Sequence, residues 1–227
     1  MPSAPPDRFR IAPTPSGFLH EGNRVNFRRI AALRARLGGT ILLRIDDLDA
    51  ARTRPEYVRH IFEVLREEGI LWDEGPRDEA DFHANWSQHH RLADYRALLG
   101  RLRDGGHLFA CVCTRKTVAQ CRCETLDLDF DAPDAAWRLR NMTGSRDPGL
   151  TILRQKNGMP AYHIASVSDD VRFGITHIVR GEDLRASTGL QLDIARRLGL
   201  DAFLRASILH HPLILGPDGR KLSKSRP

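Results

Sequence analysis

The hydrophobic pattern in the N-terminal part of the chain predicts a repeating unit of strand and helix. A short apolar strand starting at Arg10 breaks at two prolines and a glycine, and a helical pattern over residues 23–37 ends at two glycines. The apolar run of residues 40–45 predicts a buried strand, and the spacing after Pro55 predicts a helix that Gly69 ends. Strand, helix, strand and helix in succession indicate a parallel sheet and an α/β fold.

The same alternation continues toward the C-terminal end. Residues 70–76 predict a strand that runs into a turn, and residues 90–103 predict an amphipathic helix. Apolar residues alternate over residues 161–165, which favours a strand, and a buried strand is predicted over residues 175–180. We expect a helix capped by Ser187 and ended by Gly199, and then a strand and a turn over residues 212–219.

The segment 107–158 differs in character from both of its flanks. It contains all four cysteines of the chain, an acidic stretch over residues 124–134 and a short basic stretch. We interpret it as an insertion with its own small fold. This divides the main domain into residues 1–106 and residues 159–227.

Composition narrows the class of protein only slightly. Apolar residues make up 41% and charged residues 28%, as in an ordinary globular protein. The net charge of +6 suits a polyanionic partner, although a basic surface without such a partner fits as well, because 29 acidic residues are interspersed. No apolar run approaches the roughly 18 residues of a membrane span, and no signal-peptide pattern is present at the start. We expect a cytoplasmic protein that does not enter a membrane.

The four cysteines form two Cys-x-Cys pairs, at Cys111 and Cys113 and at Cys121 and Cys123. Clustered cysteines in a chain without an export signal favour a metal site over a disulfide framework. Four thiolates suit tetrahedral Zn²⁺. The alternative is a set of reduced surface thiols.

The turn after the first strand is typical of a phosphate site. The N-terminus of a helix presents backbone N–H groups and a positive dipole to an anion, and Gly22 lets a ligand approach the backbone closely. His20 and Asn23 flank this glycine. At the other end of the chain, Lys221 and Lys224 lie in a basic segment with two serines. Taken separately, the two segments also fit a solvated loop and a frayed tail.

Together, the two segments resemble the signature motifs of class I aminoacyl-tRNA synthetases. Residues 20–23 are similar to the HIGH motif and residues 221–225 to the KMSKS loop. Further motifs resemble, in order, the catalytic half of glutamyl-tRNA synthetases: Arg-Ile-Ala-Pro-Thr-Pro-Ser-Gly, Leu-Arg-Ile-Asp-Asp-Leu-Asp, Trp-Asp-Glu-Gly-Pro, Ala-Tyr-His-Ile-Ala and Arg-Gly-Glu-Asp-Leu. The resemblance implies a Rossmann-like parallel sheet with helices on both faces. It also implies that residues 107–158 are an acceptor-binding subdomain with a zinc site.

A resemblance to one subfamily is suggested by the short segment after the KMSKS-like loop. Glutamyl-tRNA synthetases carry a helical anticodon-binding region after the KMSKS loop, whereas this chain ends two residues after it. We therefore expect no anticodon-binding domain and a resemblance to the glutamyl-Q tRNA(Asp) synthetase family. That family activates glutamate with ATP and places it on the queuosine base of tRNA(Asp). Its members usually continue beyond the loop, so the tRNA-binding surface is undefined here. We expect a monomer.

The resemblance also assigns roles to individual residues. For catalysis and ATP binding it assigns His20, Gly22, Asn23, Lys221 and Lys224. For glutamate it assigns Arg10, Thr14, Asp46, Tyr162 and Arg180. Mg²⁺ is expected as the counter-ion of ATP.

Three positions depart from the family pattern. Asp46 stands where the family has glutamate, and Ser166 where many members have asparagine or valine. A carboxylate that is one methylene shorter shifts the substrate or admits another acidic or polar amino acid. The family's zinc site includes a tyrosine, but none lies between Cys113 and Cys121, so Cys123 is expected as the fourth ligand.

Two alternative functions remain at this point. The first is an amino-acid ligase that loads glutamate or a related amino acid onto a different acceptor. The second is a non-catalytic paralog that binds nucleotide or RNA. The presence of His20, Asn23, Lys221 and Lys224 favours catalysis, because a paralog without activity has no need of them.

Overall fold

The computed structural model describes residues 6–140 and 151–213. Its strands are β1 (Arg8–Ile11), β2 (Thr40–Leu43), β3 (Leu108–Cys111), β4 (Ala136–Leu139), β5 (Ile152–Arg154), β6 (His177–Gly181) and β7 (Ser207–His211). Four strands form a sheet in the order β2-β1-β6-β7, and each neighbouring pair is parallel. The α/β class with a parallel sheet is therefore confirmed.

Helices cover both faces of this sheet. They are α1 (Glu21–Leu37), α2 (Pro55–Glu67), α3 (Glu79–Asp81), α4 (Leu92–Asp104), α5 (Tyr162–Arg172), α6 (Arg185–Leu198) and α7 (Asp201–Leu204). Successive side chains of a strand point to opposite faces. Ile41 and Leu43 accordingly pack in a core with α1 and α2, and Leu42 packs in a second core with α4 to α7. The sheet is thus buried on both sides, which explains the continuous apolar runs of its strands.

The predicted helix limits agree with the structure where glycine marks them. α1 begins two residues before the predicted start and ends before Gly38. α2 begins at Pro55, as predicted. α6 ends before Gly199, whose φ of 63° is left-handed and suits glycine.

The strand predicted over residues 70–76 is wrong. Among the described residues, this segment makes one isolated bridge, between Leu42 and Glu74, and Leu71 is 84% exposed. Gly75 has a φ of 108°, and a Cβ there would lie 2.2 Å from the carbonyl oxygen of Leu43. The Trp-Asp-Glu-Gly-Pro motif is therefore a turn packed against the end of β2, and the close approach of the backbones requires its glycine.

Two further predictions need correction. Residues 161–165 form the start of α5, because a short alternation cannot be distinguished from the spacing of one helical turn. Ser187 lies inside α6 and does not cap it, since the cap position is Leu184. Among the described residues, the last strand is β7, which ends before Pro212, a residue without the N–H group that a sheet ladder uses. Most of the predicted strand and turn at 212–219 lies outside the described residues.

The segment 107–158 contains an antiparallel sheet in the order β3-β4-β5. Leu108, Trp137, Leu139 and Leu153 of this sheet belong to the same core as α4 to α7. The small sheet is thus packed onto the main domain through a shared core. The exact limits of the insertion stay a prediction. Within the described ranges, no helix is both long and apolar enough to cross a membrane.

Candidate active site

A pocket of about 230 Å³ opens where the parallel strands reach their carboxyl ends. Loops that follow the strands of a parallel sheet meet at this edge, where α/β proteins commonly bind ligands. The structure brings most of the predicted site residues to the pocket wall: Arg10, His20, Gly22, Asn23, Asp46, Tyr162 and Arg180. Thr14 lies in the same turn as His20 but is not part of this wall. Lys221 and Lys224 lie outside the described residues.

His20 and Asn23 form a reciprocal cap at the start of α1. His20 Nδ1 accepts a hydrogen bond from the Gly22 N–H at 3.0 Å, and Asn23 Oδ1 accepts one from the His20 N–H at 3.1 Å. These bonds assign the ring proton of neutral His20 to Nε2 and leave the Asn23 amide group as a donor. A Cβ at Gly22 would lie 2.8 Å from the His20 ring, so this glycine makes room for the histidine. The N-terminus of α1, with the positive end of its dipole, therefore lies at the pocket wall.

Arg180 is the least satisfied charge of the pocket. It is buried, and its Nη1 donates to Gln191 Oε1 at 2.8 Å and to Thr188 Oγ1 at 3.2 Å. Its Nε and Nη2 have no hydrogen-bond partner in the part of the chain that the structure describes. Burial, together with the nearby Arg10 charge, lowers the pKa of Arg180 to about 10. A buried guanidinium left in this state favours an anionic ligand, because unpaired buried charge is costly.

The carboxylate of Asp46 is held in place by Arg44, which lines the same pocket. Arg44 Nε and Nη2 donate to the two carboxylate oxygens of Asp46 at 2.6 and 3.1 Å. Both side chains are buried, and burial raises the pKa of Asp46 although the Arg44 charge opposes this shift. The two-point bond fixes the plane of the carboxylate at the pocket wall. The role of Asp46 toward an ammonium group stays a prediction.

A second buried network lies beside the pocket and is centred on Asp169. This carboxylate accepts hydrogen bonds from Arg91 at 2.8 and 3.1 Å, from the Tyr95 hydroxyl and from Gln88. Burial raises its pKa, but the charges of Arg44 and Arg91 and these hydrogen bonds lower it by more. None of Gln88, Arg91 and Tyr95 lines the pocket, so this network is structural.

Sequence reasoning missed Arg44, Thr188 and Gln191. Arg44 is a charged residue in the apolar run of residues 40–45. A charge in a buried strand needs a partner, and this could have identified Arg44 from the sequence. Thr188 and Gln191 lie three residues apart on the buried face of α6, together with Ile194 and Leu198. Polar residues on a buried helix face need partners, and here both accept a hydrogen bond from Arg180.

The four cysteines converge as predicted. Their sulfur atoms all lie within 4.8 Å of one another, and Cys111 to Cys121 and Cys113 to Cys123 are each 3.6 Å apart. Tetrahedral zinc with Zn–S bonds of about 2.3 Å requires sulfur atoms about 3.8 Å apart. Phe109 and Leu128 pack around the cluster. The donor set and its spacing are therefore compatible with zinc, with Cys123 in the fourth position.

These features define a class I aminoacyl-tRNA synthetase catalytic domain. The sequence model of class I tRNA synthetases (E and Q), catalytic domain, matches residues 8–143 and 141–226. The chain belongs to this family, and it is a ligase.

Among its relatives is a glutamyl-Q tRNA(Asp) synthetase of Symbiobacterium thermophilum. It is 34% identical over 253 residues, which cover 95% of this chain and 77% of the relative. A glutamate–tRNA ligase of Sulfurihydrogenibium sp. is 31% identical, with coverage of 96% and 52%. The crystal structure of a glutamate tRNA ligase from Elizabethkingia meningosepticum in complex with its amino acid is 25% identical, with a TM-score of 0.78. The match covers 97% of this chain and 52% of that one, so the chain spans about half the length of these ligases.

We expect about one zinc ion per chain in protein purified without added metal. Four thiolates at this spacing bind zinc tightly, and replacing Cys123 by serine removes one of them. Plasma emission spectrometry of the purified protein measures the ratio. The Thr117→Ser variant, in the same loop but outside the cluster, is expected to keep the metal. A ratio near zero in the unmodified protein would overturn this prediction.

We expect His163 to weaken folding in mild acid. Its Nδ1 is buried without a partner in the described ranges, and burial, with the nearby Arg180 charge, lowers the pKa of His163 from 6.5 to about 4. Below pH 6.5, His163 therefore binds a proton in the unfolded chain but not in the folded chain. The free energy of unfolding consequently falls as the pH falls from 6.5 toward 4. From pH 7 to pH 5, wild type should lose about 2 kcal/mol more unfolding free energy than His163→Phe. Urea unfolding at both pH values measures this, and equal losses would contradict it.

Proposed function

We propose that this protein uses ATP to convert glutamate into glutamyl-adenylate and then transfers the glutamyl group to tRNA, specifically to the queuosine base of tRNA(Asp). The observation that carries the glutamate assignment is Arg180, a buried guanidinium in the pocket wall whose Nε and Nη2 have no hydrogen-bond partner within the described ranges. Arg10 lies in the same wall. The printed names of the relatives support the same substrate.

The first step needs no general base. The α-carboxylate of glutamate is ionised at neutral pH, and it attacks the α-phosphate of ATP, forming a C(O)O–P bond while the bond to pyrophosphate breaks. Catalysis then depends on holding the two reactants in line and on stabilising charge on the phosphates. In the second step, the acceptor attacks the adenylate's carbonyl carbon and AMP leaves.

The amino acid is bound by two positive groups and one negative group. Arg180 and Arg10 bind the side-chain carboxylate of glutamate. The forked guanidinium of arginine fits a carboxylate better than the ammonium group of a lysine would. Asp46 accepts the substrate ammonium group. Tyr162, at 38% exposed, lies at the pocket wall where its hydroxyl can reach the substrate, and Thr14 contributes from the turn.

ATP is bound at the start of α1. His20 Nε2 and the Asn23 amide group donate to the phosphates, beside the N–H groups of the first helical turn. Gly22 keeps this approach open. Lys224, with Lys221, neutralises the charge that develops on the pyrophosphate side, and Mg²⁺ is held chiefly by phosphate oxygens.

The cysteine cluster holds the zinc ion. Bound by Cys111, Cys113, Cys121 and Cys123, zinc would supply folding free energy to residues 107–158, as structural sites do. Residues 107–158 are the acceptor-binding subdomain, inserted between the catalytic halves 1–106 and 159–227. A monomeric state and a cytoplasmic location stay predictions from the sequence.

We expect glutamate alone among the twenty amino acids to drive exchange of pyrophosphate into ATP without tRNA. Arg180→Gln should raise the KM for glutamate by about 10–100-fold, the value of one or two charged hydrogen bonds, and leave the KM for ATP unchanged. The exposed Arg185 provides the matched control, because Arg185→Gln changes charge without touching the pocket. Absence of glutamate-dependent exchange in the wild type would refute the activation chemistry.

We expect transfer of labelled glutamate only to tRNA that carries queuosine. Bulk tRNA from queuosine-deficient cells should accept nothing, and tRNA(Asp) isolated from normal cells should accept it in proportion to its queuosine content. Equal acceptance by both preparations would favour the alternative, an otherwise similar ligase with a different acceptor.

A further inference from the structure

We infer that Asp170 is a positioning residue that aims Arg10 at the side-chain carboxylate of the substrate and thereby sets the preference of the pocket for glutamate over glutamine. The inference rests on the proposed function. It assigns a role to a carboxylate that does not line the pocket.

Asp170 joins two guanidinium groups through one oxygen atom. Its Oδ1 accepts hydrogen bonds from Arg10 Nε at 2.8 Å and from Arg44 Nη1 at 2.7 Å. The residue is 2% exposed, and its Oδ2 has no partner in the described ranges. A single buried carboxylate therefore separates and neutralises two buried cations that would otherwise repel each other.

The link to Asp170 determines the orientation of Arg10. The bond uses Nε, so it fixes the base of the guanidinium fork and leaves the Nη edge for a ligand. Arg10 lies within β1, and its side chain is buried. Without the Nε bond, the arginine side chain would lose more rotamer entropy when it binds the substrate, and binding would be weaker.

Arg44 extends this link to the other end of the substrate. It binds Asp170 through Nη1 and Asp46 through Nε and Nη2. Charges therefore alternate from Arg10 through Asp170 and Arg44 to Asp46, and both ends of this series line the pocket. The spacing between the group that binds the side-chain carboxylate and the group that binds the ammonium is fixed by two buried residues. An amino acid with a neutral side-chain amide would offer the Nη edge of Arg10 a neutral oxygen in place of a carboxylate.

The preceding residue offers a matched control. Asp169 is also buried and also carries charged hydrogen bonds, but its hydrogen-bond partners are Gln88, Arg91 and Tyr95, none of which lines the pocket. Its contact with Arg44 is an ion pair at 3.9 Å, longer than the hydrogen bond that Asp170 accepts from the same arginine at 2.7 Å. Removal of either charge leaves buried arginine unpaired and lowers stability. Only removal of the Asp170 charge is expected to change substrate selection.

The test compares Asp170→Asn with Asp169→Asn by pyrophosphate exchange. Asp170→Asn should raise the KM for glutamate about tenfold, leave the KM for ATP unchanged and lower the ratio of kcat/KM for glutamate to that for glutamine about tenfold. Asp169→Asn should lower the Tm and leave both the KM for glutamate and this ratio near wild type. Asp170→Glu should recover part of the ratio.

The outcomes separate the two levels of inference. Wild type without glutamate-dependent exchange refutes the proposed function. An active wild type in which Asp170→Asn keeps the glutamate to glutamine ratio refutes the positioning role, as does an equal fall of the ratio in both variants. If Asp170→Asn does not fold, Arg10→Lys removes the same Nε bond while keeping the charge and should lower the ratio; an unchanged ratio there refutes the role. Where both single variants fold, the double variant should be no worse than Arg10→Lys.

Discussion

Buried arginines at one edge of the parallel sheet impose the constraint on which the site depends. Arg10, Arg44, Arg91 and Arg180 are all nearly inaccessible to water. An uncompensated charge in such a place costs about 3–5 kcal/mol, so the fold must supply a partner for each. Asp170, Asp46 and Asp169 satisfy three of the four. Within the part of the chain that the structure describes, Arg180 donates only to the neutral oxygens of Thr188 and Gln191, a state that favours an anionic ligand.

The two buried carboxylates of α5 also differ in their roles. One belongs to a network that stabilises the fold, and the other belongs to the link that we infer to affect substrate selection. The Asp169 network ties α5 to the segment before α4, and it approaches the pocket wall through Arg44 Nε, 3.9 Å from Asp169 Oδ2. The Asp170 link begins one residue later on the same helix and reaches two residues of that wall. Adjacent residues of a helix point about 100° apart, so Asp169 and Asp170 contact different groups. Substitutions in the two networks are for this reason expected to differ in kind as well as in size.

The departures from the family pattern look different once the contacts are known. Asp46, at a position where the resemblance implies a glutamate, is held by Arg44 at two points, so its position at the pocket wall is defined. Ser166 lies behind the same arginine, with its hydroxyl 3.4 Å from Arg44 Nη2. The two departures therefore meet at one side chain. At the cysteine cluster, Cys123 lies with the other three sulfur atoms within 4.8 Å, which is compatible with its predicted place as the fourth ligand.

The sequence by itself determined the alternation of strands and helices, most helix ends, the start of a helix beside His20 and Asn23, and the cysteine cluster. These features depend on hydrophobic period, on Gly and Pro, and on residues at most a few positions apart along one segment. It misassigned residues 70–76 and 161–165, because short apolar patterns do not distinguish a strand from a turn or from a single helical turn. Only the tertiary structure decided which carboxylate pairs with which arginine. Asp170 lies 160 residues from Arg10 and 126 from Arg44, and such partners meet only when the sheet brings its strands together and α5 packs against them.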